Sequence, residues 1–168
     1  STITDESGFF QFEELHIAGV LPVLITKKDE NGFLARRLDL KPGVHVDVKL
    51  VPANAPRMLA AAIQREWDPS KAFIYGTVGG NISQMKAGMS VELELMSSGE
   101  KNTSVLYMDS QGVVNNQLNA TSDKADFAIL NLAPGTYLLR MRNSLGQDFA
   151  SHFISVAAGE GVAQEYDL

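Results

Sequence analysis

There is no cysteine in this sequence. Disulfides therefore contribute nothing to its stability, and a zinc site, deprived of thiolates, would have to assemble from distant pieces. The three histidines, His16, His45 and His152, form no His-Glu-x-x-His or other closely spaced pattern. No metal and no cofactor are expected. Basic residues are scarce: 14 Lys and Arg against 20 Asp and Glu leave a net charge of −6, with an isoelectric point near 5.0. That balance argues against a nucleic-acid partner, which calls for a clustered basic surface. Nothing approaches the roughly 18 consecutive apolar residues needed to cross a membrane, and no signal peptide is visible after Ser1. There is no Gly-x-Ser-x-Gly elbow, and Gly76, Gly79 and Gly80 lack the lysine and helix that make a phosphate loop. Glu13, Glu14, Glu92 and Glu94 fall where solvated strand faces or loops are expected. The chain reads as non-enzymatic.

What is present is β pattern. With 45% hydrophobic residues in 168, the chain can bury one good core or two small ones. Its organising stretch is Phe127 to Arg142: an apolar strand with Phe127, Ile129 and Leu132, a Pro134-Gly135 turn, and a strand in which Tyr137, Leu139 and Met141 alternate with Leu138, Arg140 and Arg142. This predicts a hairpin. The stretch also recurs. Phe127, Ile129 and Leu132 fall on Phe10, Phe12 and Leu15, and Thr121 on Thr4; after a one-residue insertion near His16, Gly135 falls on Gly19, Phe149 on Phe33, Ile154 on Leu38 and Gly159 on Gly43. Matching apolar and glycine positions over about 45 residues predict two copies of one module, the first lacking its front half. Such a truncated first copy suggests a chain cut from something longer.

The segment Thr4-Asp-Glu-Ser-Gly-Phe-Phe-Gln-Phe-Glu-Glu-Leu15, taken with Phe127 to Tyr137, resembles the carboxypeptidase regulatory-like family and its transthyretin-like and collagen-adhesin B-type relatives. The likeness covers roughly residues 70 to 168 as a whole module and 1 to 52 as the back half of another. It departs from the family at His16-Ile17-Ala18-Gly19 and at Leu21, which stands where a tyrosine is expected. The resemblance implies an immunoglobulin-like or prealbumin-like β-sandwich, used as a stalk, an accessory domain or an assembly part in adhesins, pili and outer-membrane machinery. The lysine-asparagine crosslink of the collagen-adhesin branch is not expected: Lys71 precedes a strand, but Val162 to Leu168 offers no asparagine.

In order, strands are expected at 9–15, 19–27, 33–40 and 45–51, with Pro22 marking a sheet edge and Asn31-Gly32 a hairpin turn. Residues 53–70 break the pattern. Pro56 at a first turn and the helix formers from Met58 to Trp67 predict a helical linker, whose apolar stripe is Leu59, Ile63 and Trp67. That stripe either packs on a neighbouring sheet or docks another protein with Trp67 as anchor. Strands resume at 73–78, 91–96, 105–108, 127–132, 137–142, 149–156 and 162–168, with 97–103 a loop and 113–118 weak.

The expected fold is thus all-β: tandem antiparallel β-sandwich modules, the first incomplete (1–52), a helical linker (53–70) and a complete module (71–168). The expected role is a structural or assembly module of a larger extracytoplasmic or cell-surface protein, of adhesin, pilus or outer-membrane assembly type, partnered by protein or by neighbouring modules. The alternative is a carbohydrate- or protein-binding module, or an accessory domain of a secreted enzyme. Asn81, Asn102 and Asn119 open glycosylation patterns. Residues 8–51, with open edges, should either complete themselves against the second module or exchange strands with a second copy.

Overall fold

The computed structural model describes residues 21–26, 34–40, 48–79, 86–102 and 104–167. It is mostly β. The elements are β1 (Leu21–Ile25), β2 (Arg36–Leu40), α1 (Ala55–Ala62), β3 (Ala72–Gly79), β4 (Ser90–Leu95), β5 (Glu100–Asn102), β6 (Val105–Tyr107), β7 (Asp126–Leu132), β8 (Gly135–Arg142), β9 (Asp148–Val156) and β10 (Gly161–Asp167). They form two four-stranded sheets, β10-β3-β7-β6 and β5-β4-β8-β9, and a separate β1-β2 pair.

Alternation of side chains builds the core between the four-stranded sheets. Ile74 and Val78 of β3, Phe127 and Ile129 of β7, Val91 and Leu93 of β4, and Leu139 and Met141 of β8 all belong to one buried cluster. Truncating a fully buried member such as Leu93 or Leu139 to alanine costs about 2–5 kcal/mol by lost transfer energy and a residual cavity. Gly76 pairs with Phe127 across the strands, and the Phe127 ring lies where a side chain on Gly76 would stand. The opposite face of the β10-β3-β7-β6 sheet is buried too. There Phe73, Ala128, Ala163 and Met108 pack with Val51, Leu34, Leu59 and Trp67. Burial on both faces explains why β3 and β7 read as continuous apolar runs.

Three expectations change. Residues 127–142 do not form a hairpin: β7 and β8 lie in different sheets, and Pro134-Gly135 carries the chain from one to the other. A corner holds them there, with the Tyr137 hydroxyl donating to the Ala133 carbonyl at 2.7 Å and a Cβ on Gly135 meeting Leu95 Cδ1 at 2.7 Å. The antiparallel expectation also fails at one place, because β10 runs parallel to β3. A parallel neighbour needs a long connection, and here all of β4 to β9 supplies it. Finally, residues 100–102, expected as loop, pair with β4 as β5, while 113–118 contributes only a bridge between Val114 and Met108.

The expected strand at 9–15 and the Asn31-Gly32 turn lie outside the described residues, as do His16 and His45. The strands flanking that turn do pair antiparallel, with Leu21 opposite Leu40. By the internal similarity β1 corresponds to β8 and β2 to β9, which would place Leu21 opposite Leu38, the counterpart of Tyr137 opposite Ile154. The observed register is displaced from that pairing by two residues.

Candidate functional site

The helix that carries Leu59 is flanked by Asn54 as N-cap and Ile63 as C-cap, with Pro56 in its first turn where a missing N–H costs nothing. It stops sooner than the apolar stripe suggested. Gln64 adopts φ 55, and Arg65 N–H and Gln64 N–H donate back to Ala60 and Ala61 carbonyls at 2.9 and 3.1 Å. This is a Schellman cap made without glycine. Trp67 therefore lies beyond α1 rather than on its third turn.

The three stripe residues separate accordingly. Leu59 and Trp67 turn into the outer face of the β10-β3-β7-β6 sheet, where the Trp67 ring meets Phe73 edge-on at 6.4 Å. Ile63 instead lines two adjoining hollows of about 240 Å³ each, shared with Arg65, Ser104 and Leu106. Asn131 lines one of them, and sequence reasoning missed it. With Leu130 it stands opposite Phe73 at a β-bulge between Ala72 and Ile74 on the β3–β7 ladder, held at φ 56. Asn tolerates that left-handed conformation better than other side chains do, which is the only trace the sequence carries.

A second convergence lies where residues 34–36 and 48–51 meet β10. Leu34 N–H donates to Val51 at 2.9 Å and Gly161 N–H to Ala35 at 3.0 Å, while Ala35 bridges Glu160 and Lys49 bridges Ala163. Arg36, though charged, is only 4% exposed. Its guanidinium donates to the carbonyls of Lys49 at 3.1 Å and of Ala163. A buried arginine survives where carbonyl oxygens replace water. Burial lowers its pKa, against the pull of Tyr166 and Glu160. Burial likewise raises the Tyr166 hydroxyl, with Arg36 opposing; that hydroxyl and Arg36 Nε have no hydrogen-bond partner among the described residues. Glu160 is also buried, and its carboxylate accepts from Ala157 N–H at 2.6 Å.

Several other chemistry-bearing groups among the described residues are tied up structurally. His152 sits with its ring 5.4 Å from that of Tyr166. Glu92 lies within 3.1–3.4 Å of Lys101, Arg140 and Arg142, and Glu94 pairs with Arg140. Burial pushes the Glu92 carboxyl up, but the three cations outweigh it and hold it below the usual range, so it stays ionised and makes a poor proton donor. Tyr107 crosses between sheets to accept a hydrogen bond from Val91 N–H at 2.8 Å. Tyr75 is raised to about 12, by burial first and by adjacent Asp126 second. Thr121, third residue of the Asn119 pattern, is buried and takes Met89 N–H at 3.0 Å while donating to Lys86 at 2.6 Å.

Among the described residues no group of three or more His, Asp or Glu side chains is placed to hold a metal, and no helix is long and apolar enough to cross a membrane. No family model matches the chain, and no curated protein matches it at a significant level.

Proposed function

We propose that this chain is a non-catalytic, load-bearing structural or assembly module of a larger extracytoplasmic or cell-surface protein, with a β-sandwich built from residues 71–168. The observation that carries this reading is the parallel pairing of β3 with β10, from Gly161 opposite Phe73 to Asp167 opposite Gly79. These are the first and last strands of that unit. Because they run the same way, the start of β3 and the end of β10 lie at opposite poles. Tension along the chain then loads every hydrogen bond of the ladder together rather than one at a time. The resemblance to stalk and assembly repeats points in the same direction.

The test is single-molecule pulling of the full chain through paired cysteines, which the cysteine-free sequence permits without background. Lys71→Cys with Asp167→Cys shears the β3–β10 ladder. Lys71→Cys with Ala158→Cys peels it, since Gly159 N–H donates to Lys71 at 3.2 Å and both strands start there. The shear force is expected to exceed the peel force severalfold; equal forces would remove the load-bearing reading. A protein from its native source no heavier than 18.2 kDa would remove the larger parent.

The second reading, a carbohydrate- or protein-binding module, draws on the hollows beside Ile63. Taken singly, at about 240 Å³ each, they fall below the ~300–1,000 Å³ typical of ligand pockets, and the β3–β10 pairing favours the structural reading.

A further inference from the structure

Tension entering the chain ahead of Leu34 meets the seam on β10 before it reaches β3. Ala35 bridges Glu160 in the parallel sense, and Gly161 N–H donates to the Ala35 carbonyl at 3.0 Å. The chain therefore comes into Leu34 from the pole at which β10 begins, which is also the pole at which it comes into β3. A pull ahead of Leu34 and a pull beyond Asp167 act on opposite poles. The contact at Ala35 is loaded in shear, as the β3–β10 ladder is.

One side chain ties this seam together. Arg36 Nη1 donates to the Lys49 carbonyl at 3.1 Å and to the Ala163 carbonyl, and Nη2 donates to Gln164 Oε1 at 3.4 Å. Backbone at 36, 49 and 163 is thus joined through a single buried guanidinium. Leu34 N–H donates to Val51 at 2.9 Å, and both side chains pack with Phe73 and Ala163. Lys49 bridges Ala163 in the antiparallel sense, so that contact, reached only after Arg36 lets go, is peeled rather than sheared.

We propose that the seam is a mechanical fuse. It takes tension first, yields before the β3–β10 ladder, and releases residues 37–70 while the sandwich of residues 71–168 stays folded. The inference rests on the load-bearing reading and adds a first stage to it. The order of failure follows from the contacts. The ladder runs through every residue from Gly161 to Asp167, whereas the seam holds β10 by bridges at Ala35 and Lys49 and by the Arg36 guanidinium. While it holds, tension bypasses residues 37–70. Drawn out, they span on the order of 110 Å, a reserve of length that opens at lower force than the sandwich does.

Pulling the full chain between Asn31→Cys and Asp167→Cys tests this. Two force events are expected, the first weaker than the Lys71→Cys/Asp167→Cys shear force and followed by release of about 100 Å. Arg36→Ala should lower the first force at least twofold. The same variant pulled from Lys71→Cys to Asp167→Cys should keep its wild-type force, which also shows that the sandwich has folded. Release of that length with no force event, a single event from 31 to 167, or a first event indifferent to Arg36→Ala would overturn the fuse while leaving the ladder's strength intact. Equal forces for the two pairs that share Lys71→Cys would instead remove the load-bearing reading, and the fuse with it.

Discussion

Asn131 holds the chain on both sides of Trp67. Its amide nitrogen donates to the Glu66 carbonyl and its amide oxygen accepts from Asp68 N–H, both at 2.9 Å. A side chain on a strand bulge thereby fixes the segment that leads from the helix into β3. Because Trp67 is the only tryptophan, its emission reports on the clamp directly. Asn131→Gly keeps the left-handed backbone but removes the clamp, and Asn131→Ala adds backbone strain. Losses of about 1–2 kcal/mol for glycine and roughly 1 kcal/mol more for alanine are expected, with a red-shifted emission in both. Unchanged emission would mean that contact with Phe73 alone seats the indole.

Gly161 sets how closely Leu34 and Val51 approach β10. A Cβ there would meet Leu34 Cβ at 2.7 Å and Val51 Cβ at 3.0 Å. Gly161→Ala is expected to cost about 1–3 kcal/mol through overpacking. Its effect should be local: amide exchange should quicken at 34–36 and 48–51 while β4, β7 and β8 keep their protection. Uniform loss of protection would instead make this seam part of the main cooperative unit.

Alkaline pH should destabilise the fold. Tyr75 and Tyr166 both have raised pKa values, against about 10 in an unfolded chain. Above pH ~10 the unfolded chain sheds protons that the folded one keeps, so the unfolded state binds fewer and stability falls as pH rises. Stability should be flat from pH 7 to about 9.5 and decline from there toward the folded values. Tyr166→Phe should shallow that decline and cost little at pH 7, since the hydroxyl has no partner among the described residues. Urea midpoints across pH would show both. A large loss at pH 7 would contradict the assignment.

Gln64 is a non-glycine residue in a left-handed cap. Gln64→Gly keeps the backbone bonds of the cap and removes the steric penalty of a Cβ at that angle. A gain of about 1 kcal/mol is expected, seen as a higher urea midpoint at unchanged slope. No gain would place the penalty elsewhere in the turn.

Most strands after the helix were legible in the sequence, though 100–102 was not and the expected strand at 45–51 keeps only a bridge at Lys49 among its described residues; strand partnership was not legible. Phe73 to Val78, Val91 to Leu95 and Tyr137 to Met141 announce themselves by alternation or apolar runs, and all are strands. Yet Pro134-Gly135 looks the same whether it joins paired strands or carries the chain between sheets; what decides is the Tyr137 hydroxyl and the approach of Leu95, both tertiary. Parallel pairing of β10 with β3 was hidden for the same reason. At the candidate site Leu59, Ile63 and Trp67 were visible as a stripe, but the stripe assumed a helix that Gln64 ends. Arg36 and Asn131 were invisible as structural residues because their partners, Ala163, Glu66 and Asp68, are backbone groups far away or across a bulge. Side-chain chemistry can be read along a chain; the carbonyl it will find cannot.

The pairing of β3 with β10 also sets the order in which the molecule can be finished. Phe73 leaves the ribosome long before Gly161, by roughly 4–18 seconds at ~5–20 residues per second. Late in that interval β7 can cover one side of β3, but the other side has no native strand to meet. The edge that later closes the unit is thus, during synthesis, an unfilled seat at the centre of the fold, and any competing strand must be turned away until the last segment arrives.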